Sequence, residues 1–184
     1  VSLLWSTPKA RVFIACDLPR PVEDAVHEWQ RATLSAEAGL RVAHALHITL
    51  CFLGDIERER GPDLAAALAP IVMPPIMVTL GDAVFLPERG PKRVLALLVE
   101  EPSRELHGVQ SAISEALSGT GLYKPERRAY LPHLTVARFR RPGHPFALQN
   151  VNVGQFCLSE FILYTSVLER GGAVHTPLAV FPAK

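Results

Sequence analysis

His47-Ile48-Thr49-Leu50 and His133-Leu134-Thr135-Val136 are two copies of one pattern, His, apolar, Thr, apolar, set 86 residues apart in a chain of 184. Each lies in an apolar run that reads as a buried β-strand. Side chains alternate faces along a strand, so His47 and Thr49 point one way and Ile48 and Leu50 the other. His133 and Thr135 separate from Leu134 and Val136 in the same way. The apolar pair is committed to a core, the imidazole and hydroxyl to a cleft. A half-exposed strand accounts for either copy alone, since threonine favours strands and histidine tolerates partial burial. Recurrence in two strand contexts argues for two similar halves, each supplying one catalytic strand.

Working outward, residues 11–17 form an apolar strand ended by Pro19, and Val22, Ala25, Val26 and Trp29 recur at helix spacing over 21–36. The first motif strand covers 46–53, with Gly54-Asp55 turning out of it. Pro62 opens a short helix through Leu68 at proline's favoured first-turn position. Strands at 76–80 and 94–100 flank a turn-rich stretch, and Leu106, Val109, Ile113 and Leu117 mark an amphipathic helix over 103–117. The second motif strand covers 133–139. Residues 156–168 and 173–181 read as a closing hairpin around Gly171-Gly172. Helices are few and tight turns join several strands, so the pattern gives an α+β, sheet-rich chain with mixed or antiparallel pairing.

Composition excludes several classes. Hydrophobic content of 48% with 20% charged residues suits a globular chain with a substantial core. The net charge of +1 does not announce nucleic-acid binding, but 15 of the 19 basic residues are arginine, the better bidentate ligand for phosphate. Arg127, Arg128, Arg138, Arg140 and Arg141 bracket the second motif. Cys16, Cys51 and Cys157 lack metal-ligand spacing, and their odd number argues against a disulfide framework. The apolar run over 64–78 is too short and is interrupted by three prolines, and Val1–Trp5 lacks the features of a signal peptide. A cytoplasmic protein with reduced thiols is expected.

In their flanks, Leu46-His47-Ile48-Thr49-Leu50-Cys51-Phe52-Leu53-Gly54 and Pro132-His133-Leu134-Thr135-Val136-Ala137-Arg138, the motifs resemble the two-histidine (2H) phosphoesterases. The nearest branch is the RNA 2′,3′-cyclic phosphodiesterases, also called 2′-5′ RNA ligases. Weaker matches fall in the right order: residues 11–19 resemble the family's opening strand, 85–94 its middle strand pair, and 161–177 its closing hairpin. The chain departs from the pattern in three places. His175 stands where tyrosine is usual, Leu97 or a neighbour replaces a tryptophan, and Cys51 takes a cleft-facing position. The resemblance implies one bilobal domain over 1–184, built as a pseudo-two-fold pair of mainly antiparallel sheets that face a central cleft, with helices outside.

It also implies metal-independent opening of RNA 2′,3′-cyclic phosphate ends to 2′-phosphomonoesters, without a cofactor. His47 is then the proton donor, His133 the acceptor, and Thr49 and Thr135 bind the phosphate. Two imidazoles suit that task because both protonation states are accessible near neutrality. Arg138 matches the family's motif arginine, yet strict alternation puts it on the wrong face unless the strand bulges after Val136. Phe13 and Tyr123 are candidate base-stacking residues, whereas His27, His107 and His144 read as solvated. The expected partner is an RNA or oligonucleotide with a 2′,3′-cyclic phosphate, acted on by a monomer with no membrane or protein partner. ATP-independent 2′-5′ ligation by the same site in reverse and a non-catalytic RNA-binding module are the alternatives; a metallohydrolase is more distant.

Overall fold

Alternating apolar residues and proline-started helices set the element order in the computed structural model, which describes residues 7–35, 37, 39–169 and 172–184. The readings at Val1–Trp5, Ala36 and Gly171 lie outside those residues. The order is β1 (Lys9–Asp17), α1 (Arg20–Leu34), β2 (Leu40–Val42), β3 (His47–Glu57), a 3₁₀ turn at Arg58–Arg60, and α2 (Gly61–Leu68). There follow β4 (Ile76–Leu86), β5 (Lys92–Glu100), α3 (Glu105–Gly119), β6 (His133–Gly143), β7 (Gln155–Leu158), β8 (Glu160–Glu169) and β9 (Gly172–Pro182). Proline lies in the first turn of both α1 and α2, where its missing N–H costs no helical bond. Val22, Val26, Trp29 and Leu34 of α1 and Leu106, Val109, Ile113 and Leu117 of α3 are the buried stripes that hold these helices to the sheet.

All the recorded pairings are antiparallel, in the order β7-β4-β5-β6-β3-β1-β8-β9, with β2 also paired to β6. The sheet divides at its centre into a half of five strands, β7, β4, β5, β6 and β2, and a half of four, β3, β1, β8 and β9. They meet through a single recorded pair, Ile48 opposite Leu134. The two facing sheets expected from the resemblance are thus the two arms of one curled sheet. Val12, Ile14, Ile48, Leu95, Leu97, Leu134 and Val136 bury on the helix-covered side.

Four sequence readings change. Residues 156–168 are two strands, broken at Ser159, because β7 pairs with β4 in one half and β8 with β1 in the other. Apolar periodicity runs through the break, so the crossing leaves no trace in the sequence. Gly54 does not end β3: it pairs with Val12 at φ 82, inside a bulge that lets the strand continue to Glu57. The three-residue β2 is too short to announce itself by alternation. Nor are His27 and His107 simply solvated. The Nδ1–H of His27 donates to Gln30 Oε1 at 2.7 Å, and that of His107 to Glu101 Oε1 at 3.0 Å. Glu101 also accepts from the Ser103 hydroxyl at 2.9 Å and from the first backbone N–H groups of α3. These bonds hold its carboxyl below the ordinary value although burial alone acts to raise it.

Gln30 is a buried polar residue on α1, only 2% exposed. Its Nε2 donates to Ala43 O at 2.9 Å and to Val136 O at 2.8 Å, tying α1 to the approach to β3 and to β6. Gln30→Leu keeps the helix stripe but takes one donor from each carbonyl, leaving Val136 O with the Ala43 N–H. The expected cost is about 1–3 kcal/mol, read as a lower midpoint in denaturant melts at unchanged slope. A neutral result would mean that the carbonyls find other donors.

Candidate active site

The pairing of Ile48 with Leu134 fixes the geometry of the motifs. In antiparallel register it turns His47 toward Thr135 and Thr49 toward His133 on one face of the sheet. The four motif side chains therefore form a diagonal square at the centre of the sheet, on the face that the apolar residues Ile48 and Leu134 do not use. All four are partly exposed.

Both imidazoles are held in the same manner. Nδ1 of His47 lies 3.0 Å from Ala45 O, and Nδ1 of His133 lies 2.8 Å from Leu131 O. A carbonyl only accepts, so Nδ1 carries the proton in each ring and Nε2 is left for chemistry. Each neutral ring offers an acceptor at Nε2, and each charged ring a donor.

A β-bulge follows each motif at the corresponding place. On β3, Thr49 pairs with Ala15 and Cys51 with Ile14, leaving Leu50 without an opposite residue. On β6, Thr135 pairs with Ala96 and Ala137 with Leu95, leaving Val136 unmatched. Two successive residues bury at each bulge, Leu50-Cys51 and Val136-Ala137, and the face reverses after them. Arg138 therefore comes out on the same side as His133 and Thr135, and its charge reaches His47. Cys51 lies against the groove that Thr49 and His133 share but is only 2% exposed and packs with the core, its thiol pushed up to about 11 chiefly by burial. Phe52, 50% exposed, takes the position in the first half that Arg138 takes in the second. Strict alternation hides Phe52. The repeated apolar doublet after each motif is the sequence signal that reveals it.

Each bulge touches a helix. Gln30 of α1 donates to Val136 O, and Gln110 of α3 places Nε2 3.7 Å from Cys51 Sγ. The Tyr130 hydroxyl donates to Thr49 O at 3.0 Å. The helix that precedes each motif strand thus reaches the bulge of the opposite half.

The surroundings of the two histidines differ. His133 and Thr49 open on a groove of about 690 Å³ whose lining includes Phe52, Arg89, Tyr123 and Arg128. Tyr123 is placed to meet a ligand there. Phe13 is not: it is 3% exposed and packs its ring 4.9 Å from that of His47. His47 adjoins a small cavity of about 180 Å³, lined also by Asp17, Tyr164 and His175. The His175 ring meets His47 edge-on at 5.1 Å between centroids, and among the described residues its buried Nδ1 has no hydrogen-bond partner. Burial pushes His47 down to about 4, with His175, Arg138 and His133 adding repulsion and the Ala45 carbonyl opposing them. Burial also lowers His175, against the opposing attraction of Asp17. The residue that departs from the family pattern is thus in direct contact with the first motif histidine. Among the described residues no three His, Cys, Asp or Glu side chains gather in a metal-binding arrangement, and no helix is long and apolar enough to cross a membrane.

The model of the 2′-5′ RNA ligase superfamily matches residues 18–158, a span that includes both motifs. The chain belongs to that superfamily. It is 30% identical over 169 residues to the RNA 2′,3′-cyclic phosphodiesterase of Escherichia coli, covering 91% of this chain and 93% of that one. The RNA 2′,3′-cyclic phosphodiesterase of Thermus thermophilus is 29% identical over 180 residues, covering 93% and 89%. Among solved structures, E. coli LigT complexed with 3′-AMP superposes with a TM-score of 0.83 at 28% identity, over 96% of this chain and 99% of that one. The α+β architecture is therefore that of the superfamily.

The contact with His175 gives a titration test. In the ligand-free protein the His47 resonances should titrate near pH 4. His175→Phe keeps a ring against His47 and removes its charge, so the protonated form of His47 loses a repulsive neighbour and its midpoint should rise. A midpoint that stays in place would assign the depression to burial and the remaining charges alone.

Proposed function

We propose that this chain opens RNA 2′,3′-cyclic phosphate ends to 2′-phosphomonoesters without a metal ion or organic cofactor, as one bilobal unit acting as a monomer. The observation that carries the reading is the diagonal square: two imidazoles with free Nε2 atoms and two threonine hydroxyls, arranged about the centre of the sheet.

The phosphate occupies the space between the halves. His133 takes the proton of a water that attacks phosphorus, and the P–O3′ bond breaks as His47 protonates the departing 3′ oxygen. The product is a 2′-phosphate beside a 3′-hydroxyl. General acid and base catalysis are each worth about 10²–10⁴ in rate. Thr49 and Thr135 donate to the non-bridging oxygens, where charge builds in the transition state. Arg138 adds a positive charge from the same face. His47 is neutral in the free protein, and a bound phosphate anion raises its pKa toward the protonated form that a donor requires. The same step in reverse, with a 5′-hydroxyl in place of water, joins two ends through a 2′-5′ linkage.

His47→Ala and His133→Ala should each lower turnover of a cyclic-phosphate-ended RNA by about 10²–10⁴, with the double variant little worse because acid and base act as a unit. The assay is run in chelator, with the product phosphate located by ³¹P NMR. Near-full activity in either single variant sinks the two-histidine mechanism; loss in chelator, restored by a divalent ion, moves the protein to metal-assisted hydrolysis. A limb of kcat/KM should fall near pH 4, where His47 titrates in the free protein.

Thr49→Val and Thr135→Val keep the branched shape and remove only the hydroxyl. By analogy with oxyanion donors each should raise the barrier by about 2.7–4 kcal/mol. The loss should appear in kcat more than in KM, because the bond strengthens toward the transition state. A change confined to KM would assign the threonines to ground-state binding.

A further inference from the structure

β2 lies against β6 with Arg41 directly opposite Arg138. The flanking pairs, Leu40 with Phe139 and Val42 with Ala137, turn toward the core, so both guanidinium groups stand on the open face that carries His133 and Thr135. Like charges directly opposite each other in an antiparallel pair are destabilising. Among the described residues no carboxylate forms an ion pair with either one. Arg140 is the next residue of β6 on that face, its Nε donating to Leu40 O at 3.2 Å. Arg140, Arg141 and His144, with one acid, Glu37, line a cavity of about 500 Å³ together with Phe139 and Phe146. That volume suits a nucleotide-sized ligand.

The corresponding length of the first half is different. Arg11 pairs with Asp55 at 3.7 Å and Lys9 with Glu57 at 3.3 Å, and the residue that leaves the bulge is Phe52. In the first half the cations of β1 are matched by acids of β3, whereas among the described residues Arg41, Arg138, Arg140 and Arg141 of the second half form no ion pair.

We propose that Arg41 and Arg140 on the open face, with Arg141 where the chain turns over the end of β6, form a track for the RNA backbone on the 5′ side of the reacting end, finishing in the aromatic cavity beyond. The assignment rests on the function proposed above, because a 2′,3′-cyclic phosphate sits on the last ribose and leaves every other phosphate on its 5′ side. A two-residue step along a strand advances about 6.8 Å, comparable to one step between phosphates of an extended single strand. Arg138 at the motif square and Arg140 one step beyond are therefore spaced to meet successive phosphates.

The test compares wild type with Arg41→Gln/Arg141→Gln on two substrates, a 2′,3′-cyclic mononucleotide and a six-nucleotide RNA with the same end, across a range of salt concentrations. Each lost phosphate contact lowers the salt slope by about 0.7 for a single strand, so log kcat/KM on the oligonucleotide should flatten by about 1.4 against log salt. The mononucleotide slope should change far less, and Arg41→Lys/Arg141→Lys should keep the wild-type slope. An unchanged oligonucleotide slope, or equal losses on both substrates, overturns the track. If the wild type opens neither substrate, the proposed function is what fails. Fluorescence anisotropy with the same RNA ending in a plain 3′-hydroxyl then judges the track: a slope lower by about 1.4 in the Gln variant supports it, and equal slopes reject it.

Discussion

One backbone pairing, Ile48 with Leu134, decides where the chemistry-bearing groups of this protein stand. Both residues are fully buried, and their side chains leave the opposite face of the sheet to histidine and threonine. A slip of either strand by one residue would turn its own motif over, sending that imidazole into the core and its apolar neighbour into the cleft. The apolar residues of each motif therefore fix the register, and the register fixes the square. Stability and function are coupled at this point through the strand period and not through any direct contact between core and ligand.

The paired bulges are the second consequence of the same constraint. A regular strand leaving the square would bury every second residue, placing Phe52 and Arg138 beneath the sheet. One extra residue in each strand reverses that phase just past the threonine, where a phosphate would lie. The bulges leave backbone groups outside the ladder, and buried ones need partners. Gln30 supplies a second one for Val136 O beside the Ala43 N–H, from a helix that a purely apolar stripe would serve equally well for packing. This gives a buried polar residue in α1 a reason to be there: it secures the strand shape that aims Arg138.

Much of the architecture is legible in the sequence because it rests on period and punctuation. The two motif strands, α1, α3 and the closing β8–β9 pair announce themselves by apolar spacing and by Pro19, Pro62 and the Gly171-Gly172 pair. What escapes is set by partners distant in sequence. Ser159 separates two strands only because their neighbours lie in different halves. Alternation puts Cys51 in the cleft, and a bulge interrupts that alternation. His27 and His107 read as solvated, although Gln30 and Glu101 claim their Nδ1 protons. The motif histidines and threonines stand out along the chain because their duplication is a one-dimensional signal. The proximity of His175 to His47 has no such signal, since those residues are joined only through β1 and β8.

A symmetric square would have no preferred direction: either histidine could serve as acid, and an RNA end could enter in two orientations. The direction must come from what surrounds the square, and there the halves part company. His47 sits among Phe13, His175 and Tyr164, a setting of rings that disfavours its charged form. His133 opens on the large groove, where water has access. Phe52 on one side and Arg138 on the other give a flat apolar surface and a positive charge at equivalent positions. An imidazole that resists protonation until an anion arrives holds its proton only while substrate is bound, and so suits the donor of a single step. An imidazole beside open solvent is the one a nucleophilic water can reach. The duplicated motif supplies histidine and threonine twice, and the unequal neighbours of the two copies give the proposed donor and acceptor different settings.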